Sequence, residues 1–313
     1  MALLLVLALA FPHAILRVPD PIPSRPAGLS AEAWVIYDDT YDFVIGEFGA
    51  DRSAPMASTT KLMTALLVAE RADPDDVVTI SRRAEATGHK QIYLRRGDTW
   101  AVGELLEAMM VVSANDAAIA LAEHVGGSVD RFVELMNERA TELGLLDTSY
   151  ANPHGLDARS HYTSARDLLT LAREAMTHST LASMARRQDA LLVSGDGSSR
   201  WWSSTNELLG SFDGTIGVKT GWTTGAGDVL VAAAERDGRR LYAVVMGSTD
   251  ANADAARLLE HGFAVFGSAE RRLVPLMEDR QQARALRAIL AEDVVARLAH
   301  LRGLDKREDA AWE

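Results

Sequence analysis

Cysteine is absent from the 313 residues, which excludes disulfides, thiolate nucleophiles and every cysteine-based metal site. Positive charge is in deficit: 32 basic side chains face 44 acidic ones, for a net charge of −12. A surface of that sign repels nucleic acid, which needs a basic footprint. Lysine is scarce. Of the 32 cations only four are Lys (Lys61, Lys90, Lys219 and Lys306) and 28 are Arg, so each Lys sits where a strong preference for Arg has been overridden. Eight His are present, but none is spaced as H-E-x-x-H, and a metalloenzyme is poorly supported. His154 and His161 read as hydrogen-bonded structural residues rather than as ligands. With 48% apolar and 24% charged residues, the composition excludes a disordered, fibrous or multi-span membrane protein. The length allows one large domain or two of roughly 150 residues.

Long apolar runs are confined to the amino end. Met1–Leu16 is nearly all apolar, yet it falls short of the roughly 20 residues a bilayer span needs, and Pro12 and His13 interrupt it. It fits the apolar region of a secretory signal with a cleavage site between Ala10 and Ala14, although no basic segment precedes it. A Pro-rich linker over 17–27 follows. At the other end, Leu286, Leu290, Val294, Leu298 and Leu301 recur at helical spacing. This places an amphipathic tail over 269–313, with nine basic and eight acidic residues from 271 onward. That balance is not a polybasic membrane anchor; packing on the protein or on a partner is the simpler reading, and membrane association stays open.

Between these ends, 28–268 reads as one catalytic domain. Ala33–Tyr37 and Asp42–Phe48 are short strands around an Asp38-Asp39-Thr40 turn. Helical periodicity starts near Ser58 and stops at Asp73-Pro74. A long helical region covers Val102 to Leu145, broken where Gly126 and Gly127 cap one helix and Ser128 starts the next. Ser164–Met176 reads as a helix. Ile216–Thr220, Val229–Ala234 and Leu241–Met246 read as strands, and Ala251–Phe266 as a final helix. Strands at both ends with helices between them predict an α/β sandwich: an antiparallel sheet flanked by helices, with a helical insertion.

Three short motifs carry chemistry. In Ser58-Thr59-Thr60-Lys61, residues three apart share one helix face, so hydroxyl and amine can meet. A Ser hydroxyl is a weak nucleophile until a base takes its proton. Lys can be that base when burial or a neighbouring cation lowers its pKa; Arg cannot. The same residues also fit a helix-capping Ser and an exposed Lys. Ser113-Ala114-Asn115 can point a hydroxyl and an amide into one cleft from a turn between helices, or can simply cap a helix. Lys219-Thr220-Gly221 puts a cation and a hydroxyl on a strand whose Gly admits a ligand close to the backbone, or marks an ordinary strand end. Together, in this order, they form the set S-x-x-K, S-x-N, K-T-G of β-lactamases and penicillin-binding proteins.

The stretch from Pro55 to Ala65 resembles the active-site segment of the low-molecular-mass penicillin-binding proteins, the serine-type D-alanyl-D-alanine carboxypeptidases. Ser113–Ala118, Asn152-Pro153-His154-Gly155-Leu156, His161–Leu168 and Gly217–Thr223 are similar to further landmarks of that family, and the resemblance covers about 28–267. It implies a β-lactamase/transpeptidase-like fold and no cofactor. The implied substrate is a peptidoglycan stem peptide ending in D-Ala-D-Ala, with β-lactams as inhibitors and a place outside the cytoplasm. It also implies roles: Ser58 as acylated nucleophile, Lys61 as general base, Ser113 as proton relay, and Asn115 holding Lys61 and the substrate amide. Lys219 and Thr220 would bind the terminal carboxylate beside Gly221, and the backbone N–H groups of Ser58 and Trp222 would form the oxyanion hole. Many members carry an all-β domain next, whereas the residues after Gly267 read here as helix.

The rival readings differ in residues or in product. A class A β-lactamase adds a Glu-x-x-Leu-Asn segment, and none occurs between the second and third motifs; Glu134-Leu135-Met136-Asn137 has the wrong spacing. A D,D-endopeptidase would use the same residues on cross-links. A non-catalytic β-lactam or wall-peptide sensor would not need Lys61.

Overall fold

The computed structural model describes residues 26–194 and 196–273. The Met1–Leu16 segment, linker residues 17–25 and the periodic Leu286–Leu301 pattern lie outside the described residues.

Every residue of strand β1 (Ala33–Asp38) is buried, so this strand needs cover on both faces. It pairs antiparallel with β2 (Phe43–Phe48). Their turn is held by the Asp38 carboxylate, whose Oδ1 accepts the N–H groups of Thr40 and Tyr41, each at 3.0 Å. The chain then leaves the sheet. A 3₁₀ turn, Ala57–Thr60, enters helix α1 (Lys61–Arg71). A small hairpin, β3 (Val77–Thr79) and β4 (Thr99–Ala101), brackets the short α2 (Arg82–Glu85). Helix α3 (Val102–Glu107) runs on as a π-turn, Ala108–Val112, then come α4 (Asn115–Gly126) and α5 (Val129–Glu142). Next are α6 (Ala165–Ala175), α7 (Ser179–Ala185), a second hairpin of β5 (Asp189–Val193) and β6 (Ser199–Ser203), and α8 (Leu208–Ser211). The chain returns to the sheet as β7 (Thr215–Thr223), β8 (Gly227–Arg236) and β9 (Arg239–Ser248), and α9 (Ala251–Leu273) follows.

The main sheet has the order β2-β1-β9-β8-β7, all antiparallel. The two-residue period of the strands sorts their side chains between two cores. Trp34, Ile36, Leu230, Ala232, Leu241, Ala243 and Val245 pack under Ala255, Leu258 and Leu259 of α9. Val35, Tyr37, Val231, Ala233, Tyr242 and Val244 turn the other way, into the core that holds α1, α4 and α6. Gly262 lets α9 settle closely, since a Cβ there would lie 2.6 Å from Ile36 Cδ1.

The expected sandwich of an antiparallel sheet with a helical insertion is what the chain forms. Its helices depart from expectation in two places. The Val102–Leu145 region breaks at Ser113, which adopts φ +67°, as well as at Gly127, where Ser128 Oγ caps α5 through the Arg131 N–H as expected. Helix α9 reaches Leu273 rather than ending at Phe266. The β5/β6 hairpin was not legible because both of its faces carry apolar side chains. Ala190 and Leu192 are buried while Leu191, Val193 and Trp201 are exposed, so polar and apolar residues do not alternate.

One carboxylate ties the segment before β1 and the end of β9 to α9. Asp254 is fully buried, and its Oδ2 accepts from the N–H groups of Ser30 and Ala31 at 3.0 and 2.9 Å and from Ser248 Oγ at 2.8 Å. Asp254→Ala strands those donors, so a loss of about 3 kcal/mol is expected. Urea denaturation should show an earlier midpoint at unchanged slope.

Candidate active site

Ser58 lies in the 3₁₀ turn that enters α1. That turn is forced into shape from outside. Ala57 takes φ +47°, an uncommon conformation for a residue with a Cβ. Its carbonyl accepts the Thr60 hydroxyl at 2.8 Å. Gly155, at φ +94°, packs so closely that a Cβ would come 1.9 Å from the same carbonyl oxygen. Thr60 Oγ1 also meets His161 Nε2 at 2.9 Å, and His161 Nδ1 accepts the Ala151 N–H at 3.0 Å. The imidazole proton therefore sits on Nε2. Burial brings the His161 pKa down to about 4, so it is neutral at pH 7. His154 Nδ1 accepts the Leu156 N–H at 3.2 Å. Both His act as structural hydrogen-bonding groups, as the sequence suggests.

Lys61 opens α1 and is completely buried. Its Nζ stands 2.8 Å from Ser58 Oγ, 2.7 Å from Asn115 Oδ1 and 2.5 Å from the His154 carbonyl oxygen. The Asn115 orientation follows from its other end, where Nδ2 donates to the Gly88 carbonyl at 3.1 Å. Burial, then the charge of Lys219, holds the Lys61 pKa well below the usual ammonium value; Asp116 acts against this and Lys90 adds to it. Two of the three partners are pure acceptors. A neutral amine has two N–H donors and one lone pair. As the structure stands the amine donates to Ser58 Oγ as well as to Asn115 and His154; once it is neutral, two donors suffice for the two pure acceptors and the lone pair can take the Ser58 proton.

The second motif forms the turn between the π-turn and α4. Ser113 is buried, and Lys219 Nζ donates to its Oγ at 3.0 Å and to the Thr220 carbonyl at 3.1 Å. Lys219 comes from β7 and is itself buried, which brings its pKa down to about 7, with the Lys90 charge adding to the shift. Thr220 is half-buried, and its hydroxyl meets Thr205 Oγ1 at 2.6 Å. Gly221 is the point where β7 passes the nucleophile: a Cβ there would lie 2.8 Å from the Ser58 backbone nitrogen. Trp222, next on the strand, has an exposed side chain. The eight residues singled out in the sequence thus lie on the 3₁₀ turn, the start of α1, the turn before α4, the first residue of α4, and β7. Ser58, Lys61 and Asn115 are joined by direct hydrogen bonds, as are Ser113 and Lys219. Glu70, Glu174 and His178 also gather, but Arg139 spans the two carboxylates at 2.8 and 3.1 Å.

Three participants were missed. The His154 carbonyl is a backbone atom, and only the Asn152–Leu156 landmark hinted at it. Thr205 follows β6, with no motif around it. Asp116 lies within the Ser113–Ala118 landmark, which gave it no role of its own. It is buried and accepts the N–H groups of Ile92 and Leu94, each at 3.1 Å, which fastens the 88–94 loop against α4.

An antiparallel sheet clasped by helices, with a Ser–Lys pair facing a Lys-Thr strand, defines a serine acyl-transfer enzyme of the penicillin-binding class. The D-alanyl-D-alanine carboxypeptidase family pattern matches residues 21–250. The chain belongs to that family of serine-type peptidases. It is 34% identical over 263 residues to the D-alanyl-D-alanine carboxypeptidase DacF of Bacillus subtilis, covering 82% of this chain and 67% of that one. To DacD of Escherichia coli it is 36% identical, covering 77% and 65%. This chain therefore spans about two thirds of the length of those relatives. Among solved structures, the Streptomyces K15 DD-transpeptidase superposes with a TM-score of 0.73 at 32% identity, over 77% of this chain and 99% of that one. DacD of Francisella tularensis superposes with a TM-score of 0.72 at 30% identity, over 79% and 73%.

Proposed function

We propose that this protein is a serine D-Ala-D-Ala carboxypeptidase that removes the terminal D-alanine of peptidoglycan stem peptides and is inhibited by penicillin. One observation carries the reading: the Lys61 amine is buried, its pKa held well below the usual ammonium value, and it lies 2.8 Å from Ser58 Oγ with two pure acceptors as its other partners. Lys61 takes the Ser58 proton as Oγ bonds to the carbonyl carbon of the penultimate D-Ala. The oxyanion forms against the Ser58 N–H and the Trp222 N–H, a type of donor worth about 3 kcal/mol when it is in place. The C–N bond then breaks. Ser113 hands a proton to the departing amine and takes one from Lys219, whose amine donates to it; the proton that Lys61 took from Ser58 then restores Lys219 and leaves Lys61 neutral. Water, activated by Lys61, cleaves the ester and frees Ser58. Thr220, with the Lys219 charge behind it, receives the terminal carboxylate, and Asn115 holds both Lys61 and the substrate amide.

The catalytic unit is taken as 28–268. The Met1–Leu16 segment supports export and action on the wall side of the cytoplasmic membrane, where this substrate lies; cell fractionation with and without that segment tests it. Among the described residues no helix is long and apolar enough to cross a membrane. Digestion of purified peptidoglycan with mass analysis of the fragments decides the reaction. The expected result is loss of one alanine from pentapeptide stems. Loss of cross-linked dimers instead would make the enzyme a D,D-endopeptidase.

A further inference from the structure

The two backbone N–H groups that would meet the oxyanion come from separate parts of the chain, the Ser58 turn and strand β7. Their spacing depends on what joins those parts. β7 is the edge of the main sheet, with β8 on one side only, and an edge strand keeps a row of N–H groups without a strand partner. Gly221 brings this edge against the nucleophile: besides the Ser58 contact, a Cβ there would lie 2.9 Å from Ala57 Cβ and 3.2 Å from the Thr59 nitrogen. Such packing stops the strand from coming nearer. It does not stop the strand from moving away.

The opposite restraint comes from the segment 152–157. Asn152 folds it: Oδ1 accepts the N–H groups of His154 and Gly155 at 3.2 and 2.7 Å, and Nδ2 donates to the Leu156 carbonyl at 2.9 Å. One end of the segment backs the nucleophile, through the His154 carbonyl on Lys61 and Gly155 against Ala57. The other end is Asp157, which reaches the turn between β7 and β8. Its Oδ1 accepts the Thr223 hydroxyl at 2.7 Å, and its Oδ2 accepts the Gly225 N–H at 3.0 Å. Thr223 is buried, and its Oγ1 accepts the Ala226 N–H at 3.0 Å. A Cβ on Gly225 would come 2.8 Å from Asp157 Oδ2, so this residue too is shaped to the carboxylate. Among the described residues no other side chain from outside the turn hydrogen-bonds to it. Asp157 is exposed, yet both of its oxygens are committed to this one turn. The chemistry above does not use it. We infer that Asp157 is a positioning residue: by clamping the turn that follows Trp222 to the segment that backs Ser58, it sets the spacing of the Ser58 and Trp222 N–H groups around the oxyanion. This rests on the peptidase reading.

The test compares the wild type with Asp157→Ala, Thr223→Val, Thr223→Ser and the Asp157→Ala/Thr223→Val double variant. Stopped-flow reaction with penicillin separates reversible binding from the rate constant for acylation, and hydrogen exchange is read on the peptides covering 221–226. In Asp157→Ala that exchange should quicken about tenfold, as for a local opening. The acylation rate constant should fall by about tenfold to a hundredfold, the scale of a misplaced transition-state donor. Reversible binding should stay within about twofold, because the interaction lost is one made in the transition state. Thr223→Ser, which keeps the hydroxyl, should acylate like the wild type, whereas Thr223→Val should be slow. Adding Asp157→Ala to Thr223→Val should cost no more than about threefold further, since the two residues act as one unit. Unchanged exchange in Asp157→Ala overturns the clamp. Quickened exchange with undiminished acylation, or equal losses in binding and acylation, overturns the positioning role. The full Asp157→Ala penalty on top of Thr223→Val overturns it as well, because Asp157 would then act on something other than this turn. Folded wild type that never acylates, together with quickened exchange in Asp157→Ala, overturns the peptidase and leaves the clamp.

Discussion

Lys61→Arg should abolish acylation of Ser58 by penicillin while keeping the charge. The loss should reach at least about a thousandfold, within the range typical of removing a general base. Lys61 is fully buried and has three partners within hydrogen-bonding distance. If its task were to neutralise or to position, a guanidinium would retain part of the function. Arg stays protonated in proteins and has no electron pair to offer the Ser58 proton. Stopped-flow acylation with a reporter β-lactam measures the effect, and circular dichroism checks that the fold persists. A variant acylated within about tenfold of wild type, roughly 1.4 kcal/mol in barrier, would reduce Lys61 to a positioning role.

Lys219→Ala should remove the enzyme's preference for a free chain end. A carboxypeptidase must tell a terminus from an internal peptide bond, and the two differ by one negative charge. Amidating the terminal D-Ala of a test peptide should lower wild-type kcat/KM by the equivalent of about 1.5–3 kcal/mol, the worth of a charged hydrogen bond. In Lys219→Ala most of that difference should vanish. Acylation should slow as well, because the Lys219 charge helps to lower the Lys61 pKa. The sign of the pH effect follows. Lys219 loses its proton as pH rises through about 7, so the acid-over-amide ratio in kcat/KM, which reports the free enzyme, should decline above that pH. Bound carboxylate holds the proton on Lys219 and pushes the decline in kcat to higher pH. A wild type indifferent to amidation would remove the carboxylate role and favour the endopeptidase alternative. Full discrimination in Lys219→Ala would mean that another cation reads the terminus.

Much of this site was legible because its parts are consecutive residues. Ser58 and Lys61 lie one helical turn apart, Ser113 and Asn115 flank a turn, and Lys219 and Thr220 adjoin on a strand. Short-range spacing reports such groupings directly. The sheet was legible for a similar reason: β8 and β9 are long apolar runs joined by an Asp237-Gly238 turn. What stayed hidden depends on distant segments. The left-handed backbone of Ser113 is imposed by its surroundings, and nothing in Val111-Val112-Ser113 signals it. Asp116 fastening the 88–94 loop joins residues more than twenty positions apart. The His154 carbonyl and the Thr205 hydroxyl reach the cleft only because tertiary packing brings them there.

The central claim is that Ser58 becomes covalently acylated. Purified protein incubated with penicillin, digested and examined by peptide mass spectrometry gives the most direct reading. The expected outcome is one adduct per chain, with the mass of the intact opened β-lactam, on the peptide containing Ser58, and none on the Ser58→Ala protein. An adduct on a different residue, or no adduct on folded wild-type protein, would contradict the assignment of Ser58 as the nucleophile.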